Sequence, residues 1–225
     1  MASAGPRRWP LLRRRQVWLP TWRGWLCLLV LVVGLFVWLF RALYPFLALS
    51  QPVPGADIMV IEGWVPDHVI QAATAEFKRD HYRLVVAAGG SRPKGSTLST
   101  YRTYAALTAA TLLKVGLPPD QVIEAAGALT GRGRTLHSAQ AVRAKLAELR
   151  VTPSALNVVT EGPHARRTWT VFHRVFGPPV RLGVISYPPE DYDPRRWWAT
   201  SEGAKVTVTE AIGWLHEWLF GWASD

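Results

Sequence analysis

From residue 57 onward, short apolar runs that end in a turn alternate with longer stretches in which apolar residues recur every three or four positions. The runs are ADIMVIEG, RLVVAAGG, QVIEAAG, ALNVVTEG and RLGVISYP, with QVIEAAG the weakest, and each has the length and residue types of a strand. Between them, PDHVIQAATAEFKRD places Val69, Ala72, Ala73, Glu76 and Phe77 at helical spacing, and residues 99–115 are alanine-rich. TLHSAQAVRAKLAELR opens on Thr135 as an expected N-cap, and PHARRTWTVFHRVFG sets Ala165, Trp169, Phe172 and Phe176 at core spacing. A last helix is expected over about 202–220, where Trp214, Leu215, Trp218 and Leu219 form an apolar stripe that reads by default as core packing, with lipid contact as the other reading. Apolar runs that alternate with helices read as βαβ units. The expected fold class is therefore α/β, a three-layer Rossmann-like sandwich with a mainly parallel sheet of about five strands.

The pattern before residue 57 is different. Between Arg23 and Arg41 lie seventeen residues, GWLCLLVLVVGLFVWLF, without a charge. As a helix they reach about 26 Å against a hydrocarbon core of roughly 30 Å. Trp22, Trp25, Trp38 and Tyr44 suit the two interfaces, and the flanking arginines can reach outward. This reads as one N-terminal transmembrane helix over 24–42. A basic cytoplasmic segment, 1–23, precedes it, and a linker, 43–56, with Pro45, Pro52, Pro54 and Gly55, joins it to an α/β domain at 57–225. A cleaved signal peptide is the rival, because Ala48, Leu49 and Ser50 have cleavage-site spacing, but the apolar stretch exceeds an h-region of roughly 7–15 residues. Six Arg precede the span and one follows it closely. The globular part is thus expected on the extracytoplasmic side, periplasmic in a Gram-negative source.

The formal charge of +10 changes this picture little once it is divided along the chain. Residues 1–56 hold seven Arg and no acid, whereas the remainder carries 19 Lys and Arg against 16 Asp and Glu. A nearly balanced body without a basic stripe argues against nucleic acid as a partner. The only cysteine, Cys27, lies inside the apolar span, so the body has neither a disulfide framework nor thiol chemistry. The six His include no pair at i, i+4, and no zinc motif appears, so no metal is expected.

In open parallel sheets, ligands bind beyond the carboxyl ends of the strands, where helix N-termini also point. The strand ends here deliver Glu62 and Gly63, then Gly89 and Gly90, then the loop GALTGRGRT with Arg132, Arg134 and Thr135, and then Thr160 to Arg166. Pro163 suits a first helical turn, leaving the amides of His164, Ala165 and Arg166 as donors. Donors of that kind beside a guanidinium suit phosphate or carboxylate. His164 and Glu62 are the candidates for acid and base duties, with Gly89, Gly90, Arg134, Thr135, Thr160 and Arg166 around the substrate. Each also has a structural reading: a polar helix start for His164, an ion pair for Glu62, a plain turn for Gly89 and Gly90. Arg167 reads as a solvated surface charge, and Trp197 with Trp198 as packing against the sheet edge.

Taken together, ADIMVIEGW, LVVAAGG, KVGLPPDQVIEA, RGRTLHSAQAVR and VVTEGPHARRTWTVFHRVFG resemble the SanA/YdcF/ElyC family over roughly residues 56–220. The most specific piece is a strand followed by Thr160, His164 and Arg166. The turn after the first strand, Glu62-Gly63-Trp64, departs from the glycine-rich turn of many members, and STYRTYAA stands where many have an acid. The resemblance implies a Rossmann-like fold, commonly behind one membrane segment. It also implies a link to envelope integrity, peptidoglycan or lipid-carrier metabolism, with envelope proteins as partners. One member is associated with S-adenosylmethionine; no motif here demands that or any other cofactor. Two function classes follow: an enzyme, a hydrolase or transferase acting on an anionic, phosphorylated or carboxylated metabolite, or a ligand sensor or scaffold without turnover.

Overall fold

A computed structural model describes residues 18–80, 82–92, 98–127 and 133–221. The β-branched runs become five strands: β1 (Ile58–Glu62), β2 (Leu84–Gly89), β3 (Val122–Ala126), β4 (Ala155–Glu161) and β5 (Arg181–Tyr187). All pair in parallel, in the order β3-β2-β1-β4-β5. The helices are α1 (Trp22–Leu47), α2 (Asp67–Arg79), α3 (Tyr104–Lys114), α4 (Arg134–Glu148), α5 (Ala165–Phe176) and α6 (Ser201–Phe220). The α/β class and the parallel five-stranded sheet expected from the pattern are thus what the chain forms.

Alternation along each strand sends side chains to two faces. Met59, Ile61, Val85, Ala87 and Val159 pack under Val69, Ile70, Ala73 and Phe77 of α2 and Leu112 of α3. Ile58, Val60, Val86, Leu156 and Val158 pack under Ala139, Val142 and Leu146 of α4 and Val171, Phe172 and Val175 of α5. Strands buried on both faces explain why their sequences read as continuous apolar runs rather than alternating ones.

Two local readings differ from expectation. Thr135 does not cap α4: Gly133, with φ of 61°, holds the cap position, and Thr135 lies buried in the first turn. A left-handed residue there suits glycine, and it moves the helix start two residues upstream. The segment 43–56 is not a free linker either. The chain divides into units at residues 1–40 and 41–225, and α1 runs on to Leu47, with Tyr44 and Leu47 buried in the second unit. Beyond it, Gln51 exchanges two backbone hydrogen bonds with Val184, at 2.8 and 3.1 Å, covering the outer edge of β5. α1 itself is long and apolar enough to cross a membrane, with a mean hydropathy of 2.6 over its most apolar window.

The tie between this segment and the sheet depends on one glycine. The Val53 amide donates to Asn157 Oδ1 at 2.8 Å, and Asn157 Nδ2 donates to Val53 O and to the Tyr82 hydroxyl. Gly183 stands opposite Asn157 in β5, and a Cβ there would lie 2.1 Å from Asn157 Oδ1 and 2.5 Å from Val53 N. Gly183→Ala is therefore expected to destabilise the domain by about 1–3 kcal/mol through overpacking. A thermal melt followed by far-UV circular dichroism checks this, and an unchanged midpoint would contradict it.

Candidate functional site

The strand order creates a crevice. The chain moves outward from β1 to β2 to β3, then crosses back to place β4 on the other side of β1. The helices that follow β1 and β4, α2 and α5, cover opposite faces, so the carboxyl ends of these two strands open between them. Glu62 is the last residue of β1, and Thr160 and Glu161 end β4. Gly162, with φ of 50°, then turns the chain into a short 3-10 turn, Gly162–His164, that leads into α5. That left-handed residue brings His164 over Glu62.

Both side chains are buried, Glu62 to 3% and His164 to 7% exposure. Glu62 Oε2 accepts hydrogen bonds from the hydroxyls of Thr160, at 2.5 Å, and Thr168, at 2.9 Å, and lies 3.5 Å from His164 Nε2. On the other side of the ring, His164 Nδ1 is 3.0 Å from Glu210 Oε1 of α6. Arg167 grips the same Glu210 with Nε to Oε2 at 2.8 Å and Nη2 to Oε1 at 2.9 Å. The imidazole is thus flanked by two carboxylates, one of them held by a two-point guanidinium bond.

The protonation state follows from these partners. Burial alone would push the His164 pKa down, but the charge of Glu62 and the hydrogen bonds to Glu210 and Glu62 outweigh it and raise it to about 9. Burial would push Glu62 up, yet His164 and the two threonine hydroxyls hold it below its ordinary value. Glu210 is likewise driven down to about 2, against burial, by His164 and Arg167. Arg167 Nη2 also approaches His164 Nδ1 at 3.0 Å. Nδ1 cannot both accept from Arg167 and donate to Glu210, and in the imidazolium it donates to Glu210. The Nε2 proton has Glu62 Oε2 at a long 3.5 Å and no shorter partner.

A cavity of about 240 Å³ opens beside this ring, lined by Trp64, Glu161, Pro163, His164, Pro189, Asp191, Tyr192, Glu202, Val206 and Glu210. The Trp64 ring meets His164 edge to face, with centroids 4.8 Å apart. Burial raises the Glu161 pKa despite the pull of His68, and Asp191 and Glu190 add to the rise. The Tyr192 hydroxyl is pushed up to about 12, first by burial. The cavity is smaller than the roughly 300–1,000 Å³ of drug-sized sites and suits the polar head of a ligand. His164 supplies the positive charge among these lining residues, against four carboxyl groups. Among the described residues, no cluster of three or more His, Cys, Asp and Glu could hold a metal ion. A larger hollow, about 650 Å³, runs along the side of β3 against α4 and lies away from the switch point between β1 and β4.

Of the residues expected at the site, Glu62, Thr160 and His164 come together. Arg166 points elsewhere: its Nε donates to the Phe46 carbonyl, and its guanidinium covers the Phe46 ring at 3.9 Å. Arg134 is exposed at the start of α4. Gly89 admits the backbone of α3, since a Cβ there would lie 2.7 Å from Tyr104 Cβ, and the Gly90 carbonyl accepts from the Tyr104 amide at 2.9 Å. Among the expected residues His164 lines the cavity, Glu62 and Thr160 meet behind it, and Gly89, Gly90, Arg134, Thr135 and Arg166 are not among the described lining residues. Arg132 lies outside the described residues. Trp64, Arg167, Thr168 and Glu210 complete the network, and Arg167, read from sequence as a surface charge, is the guanidinium beside the histidine.

Fold and site together define a doubly wound α/β domain with a buried imidazole and carboxylates at the point where strand order reverses. No family model matches the chain, and no curated protein matches it.

Proposed function

We propose that this is a membrane-anchored envelope protein, related to the SanA/YdcF/ElyC family, whose α/β domain binds the polar head of a small metabolite at the switch point. The observation that carries this reading is the His164 imidazole in the cavity wall, buried and held between the carboxylates of Glu62 and Glu210. A phosphate or carboxylate group of the ligand is drawn to the positive charge of that ring. Glu161, Asp191 and Glu202 then face the rest of the head, which must offer hydroxyl or ammonium donors rather than further negative charge. A phosphorylated amino sugar has this combination, and it fits the expected link to peptidoglycan and lipid-carrier metabolism. The arginine-rich N-terminus supports a cytoplasmic start and an extracytoplasmic domain.

In the catalytic form of this reading, a hydrolase or transferase, the imidazolium acts as a general acid. It protonates the leaving oxygen as the bond to that oxygen breaks and a water, or the acceptor hydroxyl in a transfer, forms the new one, while Glu62 and Glu210 fix the ring. A sensor without turnover is the second reading, favoured by the lack of a serine or cysteine nucleophile among the described lining residues. For binding itself, the test is a thermal-shift series on the full chain in detergent, with glucosamine phosphate, glucosamine, glucose phosphate and inorganic phosphate. Glucosamine phosphate is expected to raise the midpoint most, and His164→Gln to abolish the rise. No shift with any of the four, or an equal shift in the variant, would overturn the proposal.

A further inference from the structure

Helix α6 has its polarity reversed. Two of its acids point inward: Glu210 pairs with Arg167, and Glu217 lies 3.3 Å from Arg174, making two rungs seven residues apart on both α6 and α5. Its third acid, Glu202, lies in the first turn, 3.6 Å from Lys205. From there on the outward face is mainly apolar: Val208, Ile212, Leu215 and Trp218, spaced four, three and three residues apart, are 46, 65, 46 and 62% exposed, and Phe220 is 57% exposed, with Thr209 and His216 the exposed polar residues among them. A helix that faces water normally shows the opposite distribution. Core packing, the default expectation for this stripe, holds for Trp214 but not for Leu215, Trp218 or Leu219, which are exposed. Trp214 meets the Phe46 ring edge to face, with centroids 4.9 Å apart.

Phe46 belongs to the last turn of α1, whose preceding residues form the apolar span, and Arg41, the first residue of the α/β unit, places its guanidinium 6.0 Å from the Trp198 ring centroid. Chain continuity puts Phe46, six residues beyond the end of the span, within one helical stretch of the bilayer surface. α6 packs on that same residue. It combines a mainly apolar outward face, aromatic rings toward its C-terminal end, and two of its three acids withdrawn into ion pairs.

We propose that the outward face of α6 lies in the interface of the lipid bilayer, as an in-plane helix that holds the α/β domain against the membrane. The proposal rests on α1 being a membrane anchor. Its consequence for the site is direct, because Glu210, which holds His164, belongs to the same helix. The switch-point cavity is then presented close to the lipid surface, where the head of a membrane-borne substrate can reach it.

The test uses the full chain in phospholipid nanodiscs with Cys27→Ser as background. Single spin labels are placed through Ile212→Cys, Leu215→Cys, Leu31→Cys in the span and Asp120→Cys on an exposed turn remote in sequence from both. The labels at 212 and 215 are expected to relax with oxygen rather than with a water-soluble nickel chelate, at a depth of ~5–10 Å, while the label at 120 shows the reverse. Nickel-accessible labels at 212 and 215 beside a lipid-embedded label at 31 would overturn the α6 proposal and leave the anchor standing. A nickel-accessible label at 31 would overturn both. Labels at 212 and 215 that exclude both reagents and couple between copies would show a second chain on this face, also overturning it.

Discussion

Glu62→Ala is expected to lower the stability of the domain by about 3–5 kcal/mol, the range for removing one partner of a buried ion pair. Three groups lose their acceptor at once. The Thr160 and Thr168 hydroxyls both donate to Glu62 Oε2, and each is left buried without that bond, while His164 loses the nearer negative charge on its Nε2 side. The ring can shed its proton in response, which limits the loss. Glu62→Gln is the informative comparison: it keeps the shape and an acceptor oxygen for the hydroxyls but not the charge, and should cost less than the alanine. In a chain of this size the alanine variant is expected to melt on the order of 10 °C lower. A midpoint within ~2 °C of the parent would mean that the network does not hold the strand ends together.

The second large effect is in pH dependence, with opposite signs for the two sides of the ring. The folded-state pKa of His164 is raised to about 9 from an ordinary 6.5. Its stabilisation is therefore fully present below about 6.5 and is lost as pH rises through about 9. Glu210 is lowered to about 2 from 4.5, so its contribution is present above about 4.5 and is lost as pH falls towards 2. The network is complete between these limits, and its alkaline side amounts to on the order of 3 kcal/mol. The groups that set it come from three elements: Glu62 of β1, Arg167 of α5 and Glu210 of α6. Glu62→Gln should move the alkaline loss to lower pH, because the largest force raising the imidazole pKa is the Glu62 charge.

The sheet and helices were legible because Val and Ile crowd into runs too short for helices, and because the helices between them carry clear apolar faces. Half of the site was legible for a related reason. Strand ends fix where Glu62 and Thr160 lie, and the Gly162-Pro163 step fixes the turn that carries His164. The choice between Arg166 and Arg167 was not. The two project about 100° apart on one helix, and which faces the imidazole depends on where α6 packs. Glu210 stands 46 residues beyond His164 in mid-helix, with no local signature. The one trace of it in the sequence is the matched spacing of Arg167 with Arg174 and of Glu210 with Glu217, seven residues in each case. Gly89 is a case of right position and different cause: the glycine at that strand end makes room for the backbone of α3.

The imidazolium at the switch point is the centre of the account, and its titration is the direct test. With histidine labelled at Cε1 in the full chain, and His164→Gln used to assign the resonance, an NMR titration in detergent micelles is expected to give His164 a midpoint of about 9. In Glu62→Gln the midpoint should fall. A midpoint at or below the ordinary 6.5 would mean that the buried ring is neutral and that no charged donor lines the cavity, and one indifferent to Glu62 would mean that this carboxylate does not hold the proton.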